Sequence, residues 1–205
     1  MKKEKTIFDR TRQATEVDSK IIVALERIAE AFRVLLWNET KQYGLSPIQV
    51  QLLIFIMTHP SRQCKVSYLA QEFNMTKATI SDAIKVLEQK QLLKRETEAT
   101  DNRSYIFRLT PEGKKITEKI SLFANPLLHP LQEFTNEEKD NLLSGLLHLI
   151  YNLHQEKIIA VQRMCFTCSH YQAGKKKNEH YCRLLQMTLQ KADLRIDCPE
   201  HEYAG

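Results

Sequence analysis

Four cysteines stand close together near the C-terminal end of this 205-residue chain. Cys165-Phe166-Thr167-Cys168 is followed by Cys182 after thirteen residues and by Cys198 after fifteen more. A two-residue gap lets two thiolates face one metal, and Cys182 and Cys198 would complete a set of four sulfurs. Such a site would hold together a tail too short to build much core of its own. Four readings stay open on spacing: structural zinc, an iron–sulfur cluster, a reversible thiol–disulfide sensor without metal, and inert cysteines. The spacing is not the ferredoxin run, and constitutive disulfides are disfavoured in a reducing cytoplasm. His170, His180 and His201 are nearby and could replace a cysteine as ligand. Lys175, Lys176 and Lys177 could meet DNA or lower a thiol pKa, with a solvated loop as the plain alternative. Cys64 stands apart and reads as a small, partly buried residue.

A second group of residues points to different chemistry. Between Lys65 and Gly113, two short helical patterns meet at a turn made by Asn74 and Met75, and a basic hairpin follows. The first, Val66 to Phe73, reads as capped by Ser67; the second begins after Thr76 and ends near Lys90. In the second, Ile80, Ala83, Ile84 and Leu87 share one face, while Lys77, Ala78, Thr79, Ser81, Asp82, Lys85 and Gln89 occupy the other. An amphipathic helix of this kind buries its apolar stripe and offers its first turns to a DNA major groove. Thr76, Thr79 and Ser81 are polar positions near its start. Thr79 and Ser81 can donate to phosphate or a base edge, Ala78 can touch a thymine methyl, and Lys77 and Lys85 attract phosphate. Asp82 would accept from cytosine, pair with Lys85, or lie off the contact surface.

The hairpin is expected from Leu92–Glu96 and Ser104–Leu109, with a polar tip from Glu98 to Arg103. Arg103 could enter a minor groove, with Asp101 holding the tip by charged hydrogen bonds, while Lys94, Arg95 and Arg108 meet phosphates. Residues 60–115 carry eleven Lys and Arg against seven Asp and Glu, most of the whole chain's net +5.

Around this module the helices are clear. An apolar repeat through Ile21, Leu25, Ile28 and Phe32 predicts a helix from Glu16 to about Thr40, broken at Gly44. Ser46, Pro47 and Gln49 announce the next as a capping box with proline at its first position. Thr110-Pro111-Glu112 starts another, and Thr135 with Glu138 begins a long one expected to reach about Met164, nearly 40 Å at 1.5 Å per residue. That length and the apolar excess on the first and last helices predict a homodimer. Tyr181, Leu184, Leu185, Met187 and Leu189 suggest a small helix in the tail.

The order of these pieces resembles the MarR family of bacterial winged-helix transcriptional regulators. The carrying residues are Val66-Ser67-Tyr68-Leu69-Ala70, Thr76-Lys77-Ala78-Thr79-Ile80 through Leu92-Leu93, and Asp101-Asn102-Arg103 followed by Leu109-Thr110-Pro111-Glu112-Gly113. The resemblance covers about residues 16–162. It implies an obligate homodimer built from the terminal helices that binds pseudo-palindromic double-stranded operators, commonly as a repressor. Asp101 and Arg103 match its wing motif, whereas Gln91 stands where the family usually has glycine. A small-molecule effector belongs to the same expectation; the cysteine extension does not.

The reading is therefore a mainly α protein with a small β-wing, a winged helix-turn-helix with long terminal dimerisation helices. Residues 1–15 form an arm, 16–164 the winged and dimerisation domain, and 165–205 the cysteine-rich extension. The expected function is sequence-specific regulation of transcription, responsive to a small ligand, a metal or redox state. The alternative is a thiol-redox or metal-handling protein using Cys165 and Cys168 on a winged scaffold. No GxSxG, Walker or HExxH pattern occurs, so no enzyme is expected. No run of 18 apolar residues marks a membrane span, and a cytoplasmic location is the simplest expectation.

Overall fold

The computed structural model describes residues 6–98, 101–174 and 179–204, without the side chains at 98 and 101–104. Helices α1 (Arg10–Thr15) and α2 (Val17–Tyr43) lead into α3 (Pro47–Thr58), α4 (Val66–Glu72) and α5 (Lys77–Gln89). Strands β1 (Leu93–Glu98) and β2 (Asp101–Leu109) pair antiparallel from Leu93↔Leu109 outward, with a bulge between Thr97 and Glu98. Then come α6 (Pro111–Ile120), α7 (Leu128–Gln132) and α8 (Asn136–Gln155). The tail holds a three-stranded meander of β3 (Tyr171–Ala173), β4 (His180–Cys182) and β5 (Met187–Leu189).

Local chemistry explains the starts. Ser46 and Gln49 form the expected capping box, and so do Thr135 and Glu138. Thr76 and Thr110 accept the backbone N–H three residues on. Four helix ends, those of α2, α4, α5 and α8, share one device. Gly44, Asn74, Gln91 and Lys157 all have φ between +51° and +61°, and the next residue's N–H closes back onto the helix: Leu45 to Thr40, Met75 to Ala70, Leu92 to Leu87 and Ile158 to Leu153, at 2.9–3.1 Å. Only the first uses glycine, so the departure at Gln91 changes the cost of the turn and not its geometry.

The same device overturns the expected reach of the last helix. Its apolar repeat continues to Ile158, but the helix stops at Gln155 because Lys157 turns left-handed and Ile158 folds back. Two other expectations are corrected. The N-cap of α4 is Lys65, with no side-chain cap, rather than Ser67. The tail helix expected around Tyr181–Leu189 is instead β4 and β5, with Leu184 and Leu185 in the turn between them. The wing strands also run further than expected, bringing Glu98 opposite Asp101.

One core joins α2 through α6 and the wing: Val50, Leu52, Leu53, Leu69, Ile80, Ile84, Leu87 and Ile120 have almost no exposed surface. Gly113 sits where α6 meets the base of the wing; a Cβ there would lie 2.0 Å from the Leu92 carbonyl oxygen. A second, smaller core of Leu147, Met164, Leu189 and Leu194 fastens the tail onto α8. Phe166 packs between them, with its ring centroid 5.9 Å from that of Tyr151 and 5.4 Å from that of Tyr171. No helix among the described residues is long and apolar enough to cross a membrane.

Candidate nucleic-acid interface and cysteine pocket

The α5 helix is anchored by Ile80, Ala83, Ile84 and Leu87, all buried. Its other side presents Lys77, Ala78, Thr79, Asp82, Lys85 and Gln89 to solvent, with Ser81 half-buried and Thr76 exposed at the cap. Thr76 Oγ1 accepts from Thr79 N at 3.1 Å and lies 2.9 Å from Thr79 Oγ1, so both hydroxyls are oriented at the helix start. Asp82 pairs with Lys85 at 3.4 Å, the second of its three expected arrangements.

Between α5, the start of α4 and the wing runs an open groove of about 420 Å³, lined by Lys65, Ser67, Lys77, Ser81, Lys85 and Arg95 among others. The wing cations are held rather than loose. Arg95 bonds Glu88 at 3.0 Å and lies over the Tyr105 ring at 5.0 Å. Lys94 and Arg108 both bond Glu96, at 2.8 and 2.5 Å, which lowers the pKa of its carboxyl. The backbone of Asp101 and Arg103 belongs to β2, but their side chains lie outside the described residues.

Residues 43–104 match the MarR family. The chain has a winged helix-turn-helix fold similar to that of MarR-family regulators. The S. aureus MepR–DNA complex is similar over 64% of this chain and 96% of that one, with a TM-score of 0.56 at 21% identity. A MarR-family regulator from Silicibacter pomeroyi gives 0.57 at 20% identity, over 66% and 91%. In sequence, a Thauera aromatica protein assigned as the transcriptional regulatory protein for the hcr operon is 28% identical over 129 residues, 62% of this chain and 75% of that protein. These likenesses leave about a third of the chain without a counterpart.

Beyond the MarR-type core, the structure brings Cys165, Cys168, Cys182 and Cys198 to the wall of one cavity of about 340 Å³. Cys165 and Cys168 flank a 3₁₀ turn, Cys182 ends β4, and Cys198 is fixed by its N–H donating to the Arg163 carbonyl at 2.9 Å. All four are free thiols. They stand around the cavity, and among the described residues no group of three or more His, Cys, Asp or Glu closes on one point able to hold a single ion. Leu184, Leu185, Met187, Leu189 and Leu194 supply apolar lining. Arg195 donates its backbone N–H to Cys165 Sγ at 3.2 Å and a guanidinium N–H to Cys198 Sγ at 3.6 Å. Burial raises the pKa of the Cys165 thiol; the Arg195 N–H opposes this, and the other three cysteines add to the rise.

The three histidines are placed differently. His170 lines the cavity and lies 3.4 Å from Glu202. His201 Nε2 is 3.0 Å from Thr167 Oγ1. His180 is buried, its Nδ1 2.7 Å from the Tyr171 hydroxyl. Lys175, Lys176 and Lys177 lie outside the described residues. Cys64 is 1% exposed, and burial pushes its thiol up to about 11.

Sequence reasoning missed Arg163. Its guanidinium makes a bidentate pair with Asp197 (2.7 and 3.0 Å) and another with Glu72 (2.6 and 3.2 Å), and it donates to the Tyr68 hydroxyl at 3.0 Å. It lies 5.5 Å over the Phe55 ring, on which His59 is stacked; His59 Nε2 is 2.8 Å from Asp197. Burial disfavours the Arg163 charge, but Asp197 and Glu72 outweigh it and raise its pKa. Tyr68 and Glu72 belong to α4, the first helix of the helix-turn-helix, and Asp197 precedes the last cysteine. The only sequence signal was charge beside the outer cysteines, Arg163 two residues before Cys165 and Asp197 one before Cys198.

Proposed function

We propose that this protein is a sequence-specific DNA-binding regulator of transcription that works as a homodimer and represses by occupying its operator. The observation that carries this is the α5 surface: a helix locked by its apolar stripe that offers Lys77, Ala78, Thr79 and Lys85 beside a basic groove and a wing. A helix so mounted can lay its first turns in a major groove while the wing reaches the neighbouring minor groove. MepR, which shares the fold, has been solved with DNA, and the Thauera aromatica relative is assigned to transcription.

The dimer is supported by apolar surface that one chain leaves uncovered. Ile21, Ile28 and Phe32 on α2 and Leu142 and Leu149 on α8 are each more than a third exposed, a concentration that marks an interaction face. Two copies would set a pair of α5 helices to read two half-sites of a pseudo-palindromic duplex.

Selection from random duplex DNA followed by titration across salt concentrations tests the reading. A recurring motif with inverted symmetry is expected. Lys77→Ala and Lys85→Ala should each lower the slope of log affinity against log salt by about 1.8, the value for two lost phosphate contacts, one from each protomer. Absence of any enriched motif, or unchanged slopes in both variants, would overturn it.

A further inference from the structure

We propose that Cys165, Cys168, Cys182 and Cys198 bind an iron–sulfur cluster, and that the cluster holds the helix-turn-helix in position through Asp197 and Arg163. The first half stands on the pocket. A single zinc ion needs four sulfurs about 2.3 Å from one point, whereas the four cysteines line one cavity without any three such ligands, among the described residues, meeting around one point. A polynuclear cluster takes its four thiolates on separate irons and so spreads them apart. The rest of the wall is mixed: Leu184, Leu185, Met187, Leu189 and Leu194 cover part of it, and His170, Asp193, Arg195 and Glu200 bring polar groups to its rim. Arg195 adds two N–H donors aimed at Cys165 and Cys198 sulfurs. These donors would hydrogen-bond the ligand sulfurs and offset the negative charge gathered by four such ligands.

Transfer of a preassembled cluster requires no electron transfer: as each cysteine sulfur bonds to one cluster iron it displaces the thiolate that carried the cluster there, and the cysteine's proton passes to that departing thiolate.

The second half stands on connectivity. Cys198 donates its own N–H to the Arg163 carbonyl and is adjacent to Asp197, whose carboxylate grips Arg163 at two points. Arg163 carries the link to Glu72 and Tyr68 on α4. With the cluster bound, Cys165 and Cys198 are fixed to one body, so the 195–198 loop and the segment carrying Arg163 stay aligned. Without it, the loop loses its anchor and α4 its external brace. Since α4 packs on α5, the reading helix loosens as well. The cluster-loaded form is therefore the tighter DNA binder, by about tenfold, within the usual range for coupling between two sites. This half rests on the DNA-binding reading given above.

The test begins with the full chain purified without oxygen. Iron and acid-labile sulfide in equal amounts, with visible charge-transfer absorption lost in Cys182→Ser and Cys198→Ser, are expected. About one zinc per protomer without sulfide, or thiols that pair as disulfides with no metal, would overturn the cluster assignment. Amide hydrogen exchange then reads the coupling without DNA. Removing the cluster should speed exchange in α4 and α5, and cluster-loaded Arg163→Met or Glu72→Gln should already show the faster rates. Identical α4 protection with and without the cluster, the dimer being intact, would overturn the coupling. Duplex binding by both forms follows, with equal affinities counting against the coupling. If neither form selects any sequence, the DNA-binding reading fails, while the iron, sulfide and exchange results still decide the site and its link to α4.

Discussion

The contact between Arg163 and Glu72 gives a double-mutant cycle whose size follows from geometry. Glu72→Ala removes two charge-assisted bonds, at 2.6 and 3.2 Å, between side chains only 17% and 10% exposed. Each such bond is worth about 1.5–3 kcal/mol, but Arg163 keeps Asp197 as counter-charge, so the loss should be about 2 kcal/mol. Arg163→Met costs more, about 3 kcal/mol, because it leaves Glu72 without its cation. That is the low end for a broken buried pair. The Asp197 arm adds less than its distances suggest, since its side chain is 41% exposed and screened by water. The double variant should then show a coupling of about 1–2 kcal/mol. Urea unfolding followed by far-UV circular dichroism, at one fixed protomer concentration, reads this as midpoint shifts of about 1 M for a loss of 2 kcal/mol. Additive losses, within about 0.5 kcal/mol, would refute the claim that the tail is fastened to α4 by this pair.

Three further outcomes are expected. Gly113→Ala should destabilise by about 2 kcal/mol, because its Cβ would meet the Leu92 backbone at 2.0 Å, whereas Gly145→Ala, with nothing within 4 Å, should stabilise α8 by about 1 kcal/mol; thermal melts of both variants compare the two. Burial raises the Cys64 thiol to about 11, above the ordinary value of about 8.5. The neutral folded thiol therefore contributes stability that is whole below about pH 8.5 and is lost as pH rises toward 11; Cys64→Ala should flatten that alkaline decline, and iodoacetamide at pH 8 should leave Cys64 unlabelled in peptide mapping. Thr76→Ala removes the cap accepted from Thr79 N and should cost about 1 kcal/mol in urea unfolding.

The sequence by itself determined what depends on neighbours a few residues apart. The caps at Ser46, Thr76, Thr110 and Thr135 and the apolar stripe of α5 were all legible because capping and amphipathicity act within a helical turn or two. The helix ends were less so. Asn74, Gln91 and Lys157 adopt the left-handed turn that glycine usually signals, and Gln91 was marked only by the family resemblance. At Lys157 the missing glycine hid the stop, so the last helix was read too long. The tail strands were misread because segments of three residues carry no period of their own; pairing with one another and packing on α8 decide their form. The cysteine spacing singled out the four cysteines but not the cavity they line, whose walls come from β4, β5 and the loops on either side of them. Arg163 was out of reach for the same reason. Its partners Tyr68 and Glu72 lie more than ninety residues away, and only the folded chain brings a guanidinium, two carboxylates and a helix of the helix-turn-helix to one place.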